Sequence, residues 1–247
     1  MNAIILAGEK KGGNSNGLEN KALLKIHDRY MIDYVIDSVK KVPQIGKIAV
    51  VGEKDHLVPA LGNKADYIIQ GTDSIVNNIL LALELFPQDK EILVLTCDIP
   101  MITPEALEHF IENAREKNVD LCYSIVDKSI NDEKYPEVKR TYAKLREGQF
   151  TGGNVFYFRP EIKDRCKDFI DEMLKYRKNP AKMAKTLGII FLLKLLLGIL
   201  TIDAIKKKCD TLLNINAGVV ISPYPEIGND VDKISDLELV EKYLSAY

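Results

Sequence analysis

The sequence predicts an α/β protein built on a mostly parallel sheet, and three observations predict it. Short apolar runs at 3–6, 47–52, 66–69 and 91–96 have the length and content of buried strands. Between them, 34–39, 74–85 and 104–116 carry helical patterns. Strands that alternate with helices in this way favour parallel pairing through crossover connections.

Taken in order, the first strand (Ala3, Ile4, Ile5, Leu6) ends abruptly at Ala7-Gly8, and a polar, glycine-rich stretch follows. The next apolar run closes on Gly52, and 66–69 reads as a third strand. In 74–85 (SIVNNILLALEL) apolar residues fall three and four apart. The run 91–96 (EILVLT) reads as a central strand, and 104–116 as a helix with Thr103 as N-cap and Pro104 in its first position. Residues 121–126 give another strand. The remainder is less regular. Strands are expected at 142–146, 155–158 and 219–221, helices at 160–178 and 181–208, and a closing helix at 235–244 with Ser235 as its N-cap. The sequence shows no internal repeat or Pro/Ser-rich linker. One domain over 1–247 is expected, with a helical insertion at about 160–216.

A chain of 247 residues with 46% hydrophobic content can bury a sizeable core. Its 34 basic and 36 acidic side chains leave a net charge of −2, with no broad basic field to suggest nucleic acid as a partner. Cys97, Cys122, Cys166 and Cys209 are scattered without CxxC spacing, so neither a zinc site nor a disulfide framework is expected and a reducing cytoplasm is the default. The first apolar run is too short for a secretory leader, so no signal peptide is expected. Residues 187–202 (LGIIFLLKLLLGILTI) are very apolar but short for a span and interrupted by Lys194. A buried or subunit-contact helix, as in a homodimer, is one reading. A helix lying on a membrane surface is the other.

The loop after the first strand carries the chemistry. Gly8, Gly12, Gly13 and Gly17 let backbone N–H groups approach a ligand, and Lys10, Lys11 and Lys21 add positive charge. Such a cradle suits phosphate oxygens and predicts binding of a nucleoside triphosphate. Neither GxxxxGK[ST] nor GxGxxG is present. A flexible surface loop is the alternative.

Leu6-Ala7-Gly8, the glycine-rich loop and Lys21-Ala22-Leu23-Leu24 together resemble the opening of the MobA-like nucleotidyltransferases, roughly LAGGxSxRMGxxKxLL. Glu9 stands where a second glycine is usual, the loop is longer, and the family arginine is missing. Lys21 matches the family lysine. The arginine's role is vacant or passes to Lys10 or Lys11.

Asp98, in Cys97-Asp98-Ile99-Pro100, closely follows the strand at 91–96. Ligands of open parallel sheets bind beyond the carboxyl ends of the strands, and a carboxylate there can hold magnesium, a hard cation. The bland reading is an aspartate capping the turn before Pro100. The segment also resembles the family's metal-binding CDxP. Likewise, 229–237 (NDVDKISDL) resembles the family's DIDTPEDL, which implies Asp232, or alternatively Asp230, as a second metal ligand. An acidic helix entry explains the same residues structurally. Gly71, Thr72 and Ser74 follow Gln70 in a loose match to the family's QGxxxS segment, which implies contact with base or ribose. Helix capping by Asp73 or Ser74 is the simpler account. The resemblance also implies that Gly152, Gly153 and Asn154 face the acceptor; a plain hairpin turn is the alternative. Lys139 and Arg140 would grip an acceptor phosphate or stay solvated.

His27, His56 and His109 show no spacing for a metal trio or a nucleophile–base pair, and GxSxG is absent. Phosphoryl-type transfer relies on positioning and charge neutralisation, which suits this set. The resemblance implies a three-layer α/β/α, Rossmann-like fold of GT-A type. It implies an enzyme that transfers NMP from an NTP to a phosphorylated small-molecule acceptor with Mg2+, releasing pyrophosphate. Lys21 and Asp98 would be its catalytic residues. Leu6, Ala7, Gly8, Lys10, Lys11, Gly12, Gly13 and Lys21 would line the nucleotide. A GT-A-type glycosyltransferase using a nucleotide-sugar, and a non-catalytic nucleotide-binding module, are the rivals.

Overall fold

In a computed structural model, residues 1–8, 20–165, 167, 182 and 186–245 are described. Lys10, Lys11, Gly12 and Gly13, expected at the nucleotide, lie outside these residues, as does most of the helix expected at 160–178.

The chain opens with β1 (Asn2–Ala7) and a 3₁₀ turn (Lys21–Leu23). A small hairpin follows, β2 (Lys25–Ile26) with β3 (Arg29–Tyr30), and then α1 (Met31–Lys40). Next come β4 (Ile48–Gly52), α2 (Lys54–Leu61), β5 (Tyr67–Gln70), α3 (Ile75–Leu83), β6 (Ile92–Thr96) and α4 (Pro104–Glu116). The second half holds β7 (Leu121–Asp127), α5 (Lys128–Lys134), β8 (Ala143–Leu145) and β9 (Gly148–Phe158). It ends with α6 (Ile189–Leu196), α7 (Ile202–Leu213), β10 (Ala217–Ser222) and α8 (Ile234–Leu244).

The main sheet has eight strands in the order β10-β7-β9-β6-β1-β4-β5, with β8 attached to β9. All pairings in it are parallel except those of β9, which runs antiparallel to β6, β7 and β8. The carboxyl ends of β1, β4, β5, β6, β7 and β10 therefore share one rim, and β9 leaves from it.

Alternating side chains of the central strands feed two cores. Ala3, Ile5 and Val50 pack with Leu107, Phe110 and Ile111 of α4 on one face. Ile4, Ala49 and Val94 pack with Leu83 of α3 and Leu213 of α7 on the other. Helices thus cover both faces, giving the expected three layers, and the doubly buried strands read as continuous apolar runs.

Local chemistry accounts for most boundaries. The Thr103 hydroxyl accepts from Ala106 N at 3.3 Å, and Ser74 Oγ accepts from Asn77 N at 3.2 Å, so both expected caps hold. Three expectations are corrected. The helix expected at 181–208 is broken among the described residues: Gly188 (φ +96°) precedes α6, Gly198 (φ +66°) follows it, and Thr201 caps α7. Both φ values lie outside the right-handed helical region. The closing helix starts one residue early, with Lys233 rather than Ser235 at the N-cap position. The Asp236 carboxylate there accepts from Asp232 N and Lys233 N at 3.0 and 3.1 Å. Gly152 and Gly153 form no hairpin turn: they sit inside the eleven-residue β9. A Cβ on Gly152 would lie 2.1 Å from the Tyr123 hydroxyl, and one on Gly153 would lie 2.1 Å from Ser124 Oγ. The glycines let β9 cross β7 where their register shifts, between Tyr123 and Ile125. No helix among the described residues is long and apolar enough to cross a membrane.

Candidate functional site

Three carboxylates and a lysine meet at the rim. Lys21 opens the 3₁₀ turn, whose next residue, Ala22, is buried in the main core. Asp98 follows β6, and Cys97 N donates to Leu6 O at 3.0 Å, which locks the ends of β6 and β1 together. Asp230 and Asp232 follow β10, and Val231 between them is fully buried. Val231 N donates to Asp98 O at 2.9 Å, so backbone as well as side chains hold the two segments side by side. One carboxylate oxygen from each of Asp98, Asp230 and Asp232 lies within 4.8 Å of the others.

Lys21 Nζ sits 2.7 Å from Asp232 Oδ1 and 3.4 Å from Asp98 Oδ2. Burial works against its charge, but the hydrogen bond to Asp232 and the field of Asp98 hold it above the ordinary lysine range. Burial likewise pushes Asp232 upward, yet the Lys21 bond outweighs this and keeps it below the usual aspartate value. Asp230 behaves differently. Burial, with Asp98 and Asp232 alongside, pushes it up to about 6 against the pull of Arg140. Arg140 is ion-paired with Asp230 and also donates to its backbone oxygen at 3.3 Å. Asn154 Nδ2 donates to Asp230 Oδ1 at 3.4 Å. The site thus holds more negative charge than it neutralises. Asp98 Oδ1 is buried with no hydrogen-bond partner among the described residues. Three oxygen donors and an orphaned carboxylate oxygen are the environment a hard divalent cation satisfies.

The expected residues fall into three groups. Lys21, Asp98, Asp230 and Asp232 converge, and Arg140 and Asn154 join them through Asp230. Arg140 is not solvated but engaged with an acid, while Lys139 is exposed. Leu6, Ala7, Gly8, Gly71, Thr72 and Ser74 gather beside β1, β4 and β5. Gly71 N donates to Gly52 O at 2.7 Å, and a Cβ at Gly8 would come within 3.3 Å of Asn78 Nδ2. Ser74 serves its helix as a cap. Gly152 and Gly153 lie on β9, where their missing side chains admit Tyr123 and Ser124.

Asn78 was not singled out from the sequence. It is 5% exposed, its Oδ1 accepts from Thr72 N at 2.6 Å and Thr72 Oγ1 at 2.9 Å, and its Nδ2 donates to Thr72 O at 3.1 Å. It shapes the loop beyond β5. A pair of asparagines, Asn77 and Asn78, in the otherwise apolar run IVNNILLAL was the available signal.

Comparison with known proteins agrees with this fold. Residues 3–177 match the MobA-like NTP transferase domain. A solved Thermus thermophilus structure described as a hypothetical transferase superposes with a TM-score of 0.82 at 34% identity, covering 96% of this chain and 98% of that one. A CMP:2-keto-3-deoxy-manno-octonic acid synthetase complexed with CTP shares the fold, with a TM-score of 0.65 at 16% identity over 100% of this chain and 99% of that one. The bifunctional protein GlmU of Thermotoga maritima is 25% identical over 184 residues, 66% of this chain but 41% of that protein, so the chain spans less than half the length of this relative. The chain belongs to the MobA-like NTP transferase family.

Proposed function

We propose that the chain transfers a nucleotidyl group from an NTP to a phosphorylated small-molecule acceptor and releases pyrophosphate. The observation that carries this is the meeting of Lys21 with Asp98, Asp230 and Asp232 at the rim where β1, β6 and β10 end. An oxygen of the acceptor's phosphate attacks the α-phosphorus in line. A new P–O bond forms there, the bond from the α-phosphorus to the bridging oxygen breaks, and pyrophosphate leaves with the electron pair.

Asp98, Asp230 and Asp232 would hold a divalent cation, magnesium by the oxygen-only donor set. When bound it supplies positive charge against the negative charge that develops on the phosphates. Lys21 is the second source of such charge. With no nucleotide present its ammonium rests on Asp98 and Asp232; on binding it exchanges these for oxygens of the β- and γ-phosphates. While it rests on these carboxylates its raised pKa keeps it cationic. The backbone of Leu6, Ala7 and Gly8, with the glycine-rich loop beyond, lines the triphosphate, and Gly71, Thr72 and Ser74 face the base or ribose. Arg140 keeps Asp230 ionised, and with Lys139, Gly152, Gly153 and Asn154 it marks the acceptor side. This work is charge neutralisation and positioning, and no protein nucleophile is required.

The test is pyrophosphate release from each of the four common NTPs against a panel of phosphorylated acceptors, with and without magnesium, using the wild type and Asp98→Asn. Turnover that needs both magnesium and Asp98 supports the proposal. Sugar transfer from a nucleotide-sugar without pyrophosphate would refute it in favour of a glycosyltransferase. NTP binding with no turnover against any acceptor would refute it in favour of a binding module.

A further inference from the structure

Helix α6 is apolar apart from Lys194, yet only one side is packed. Phe191 and Leu195 turn inward onto a cluster that holds Ile125, Leu145, Phe150 and Leu200. On the outer side Leu196 is 82% exposed, Ile190 and Leu197 are each 68% exposed, and Ile189 and Leu193 are exposed as well. Their spacing puts them on one helical face. Ile199, in the turn that follows, continues the patch. A contiguous apolar surface of this kind marks a contact site.

Cations surround it. Lys194 projects from the helix itself. The Lys144 stem lies against the Gly198 turn, where a Cβ would meet its Cδ at 2.7 Å. Arg146 N donates to Leu200 O at 2.9 Å, which fixes that residue beside the same turn. Lys144, Arg146 and Lys194 are exposed, and none has an ion-pair partner among the described residues. The nearby acid, Glu147, is engaged with Ile202 N at 3.1 Å.

We propose that α6 and the Gly198 turn dock on the surface of an anionic lipid bilayer. The apolar face lies at the boundary of headgroups and acyl chains, and Lys144, Arg146 and Lys194 meet lipid phosphates. A helix of eight residues is far too short to span, so it lies on the surface. Long cationic side chains suit this place, because their stems rest on apolar surface while their heads reach the phosphates. Charge argues against a second copy of the chain as the occupant. A two-fold contact sets the patch against itself and would bring three cations of one copy towards the same three of the other. Anionic lipid neutralises them instead.

The experiment is flotation of the full chain with vesicles of phosphatidylcholine alone or mixed with phosphatidylglycerol, at low and raised salt. Binding is expected to the mixed vesicles, to be weaker on phosphatidylcholine, and to fall as salt rises. Lys194→Gln should weaken it about fivefold, and Leu193→Glu with Leu196→Glu should abolish it. These side chains are exposed, so an unchanged thermal midpoint certifies the fold of each variant. Lys144→Gln, outside the helix, serves as an independent probe and should also weaken binding. No binding to the mixed vesicles, equal binding to both compositions, or binding indifferent to these substitutions would overturn the proposal. A wild-type dimer that Leu196→Glu converts to monomer, with no vesicle binding, would assign the face to a second copy.

Discussion

Arg140→Met isolates the electrostatics of the acidic cluster. Arg140 and Asp230 are 15% and 13% exposed in their side chains, so the pair is largely shielded from water. Asp230 stands near 6 with Arg140 present, above the ordinary aspartate value. A raised carboxyl binds its proton more tightly in the folded chain, so its contribution to stability is complete at low pH and is lost as pH rises through the folded pKa. Removing the arginine raises that pKa further. A neighbouring opposite charge is worth about 1–3 pKa units, so a loss of about 2 kcal/mol is expected at pH 8. For a chain of this length that is a fall of roughly 4–8 °C in thermal midpoint at pH 8. At pH 5, below both pKa values, the carboxyl is protonated in both proteins and only the lost packing of the Arg140 stem remains. The assay is thermal unfolding of both proteins between pH 5 and pH 8, with and without magnesium, which should restore part of the loss in the variant. A difference that stays constant across this range would show that Arg140 does not hold the charge on Asp230.

Four further outcomes follow from named contacts. Gly152→Ala should destabilise by about 1–3 kcal/mol, because its Cβ would fall 2.1 Å from the Tyr123 hydroxyl; Tyr123→Phe should recover much of this. Gly153→Ala should gain little from Ser124→Ala, since the Ser124 carbonyl oxygen would remain at 2.9 Å, and chemical denaturation of the four variants checks both claims. Burial pushes Glu91 up, but hydrogen bonds from Arg115 and Tyr157 outweigh it and hold the carboxyl below its ordinary value. Its stabilisation is therefore present above the unfolded pKa and is lost as pH falls. Glu91→Gln should cost about 1 kcal/mol at neutral pH, a gap that closes in urea titrations as pH falls through the lowered pKa of the folded chain. Asn78→Ala leaves Thr72 N without its acceptor, so faster amide exchange at Thr72 and weaker nucleotide binding, read by calorimetry, are expected; unchanged exchange would remove Asn78 from this role.

The strand and helix order was legible because the periodicities are strong where the strands are buried on both faces and the helices on one. Thr103-Pro104 and Ser74 disclosed their caps, since capping depends on a few neighbouring residues. Lys21, Asp98 and Asp232 stood out as motif positions, and each follows a strand that ends at the same rim. The segments at 181–208 and 151–154 misled for a common reason. An apolar run does not reveal which glycine takes a left-handed conformation, nor that glycines in a strand serve a neighbouring tyrosine and serine. Arg140 was noticed only as a cation. Its partner lies 90 residues away in the chain, and nothing local to either residue shows the pairing.

The sequence by itself determined the α/β class, the glycine-rich stretch after the first strand and the acids that follow the strands, because each is written in side chains a few positions apart. Only the tertiary structure decided that Lys21 lies between Asp98 and Asp232, that Arg140 restrains Asp230, and that α6 turns an apolar face outward. Those are facts of how distant segments stack across a twisted sheet. Charge balance and solvent exposure exist only once that stacking has brought the segments together.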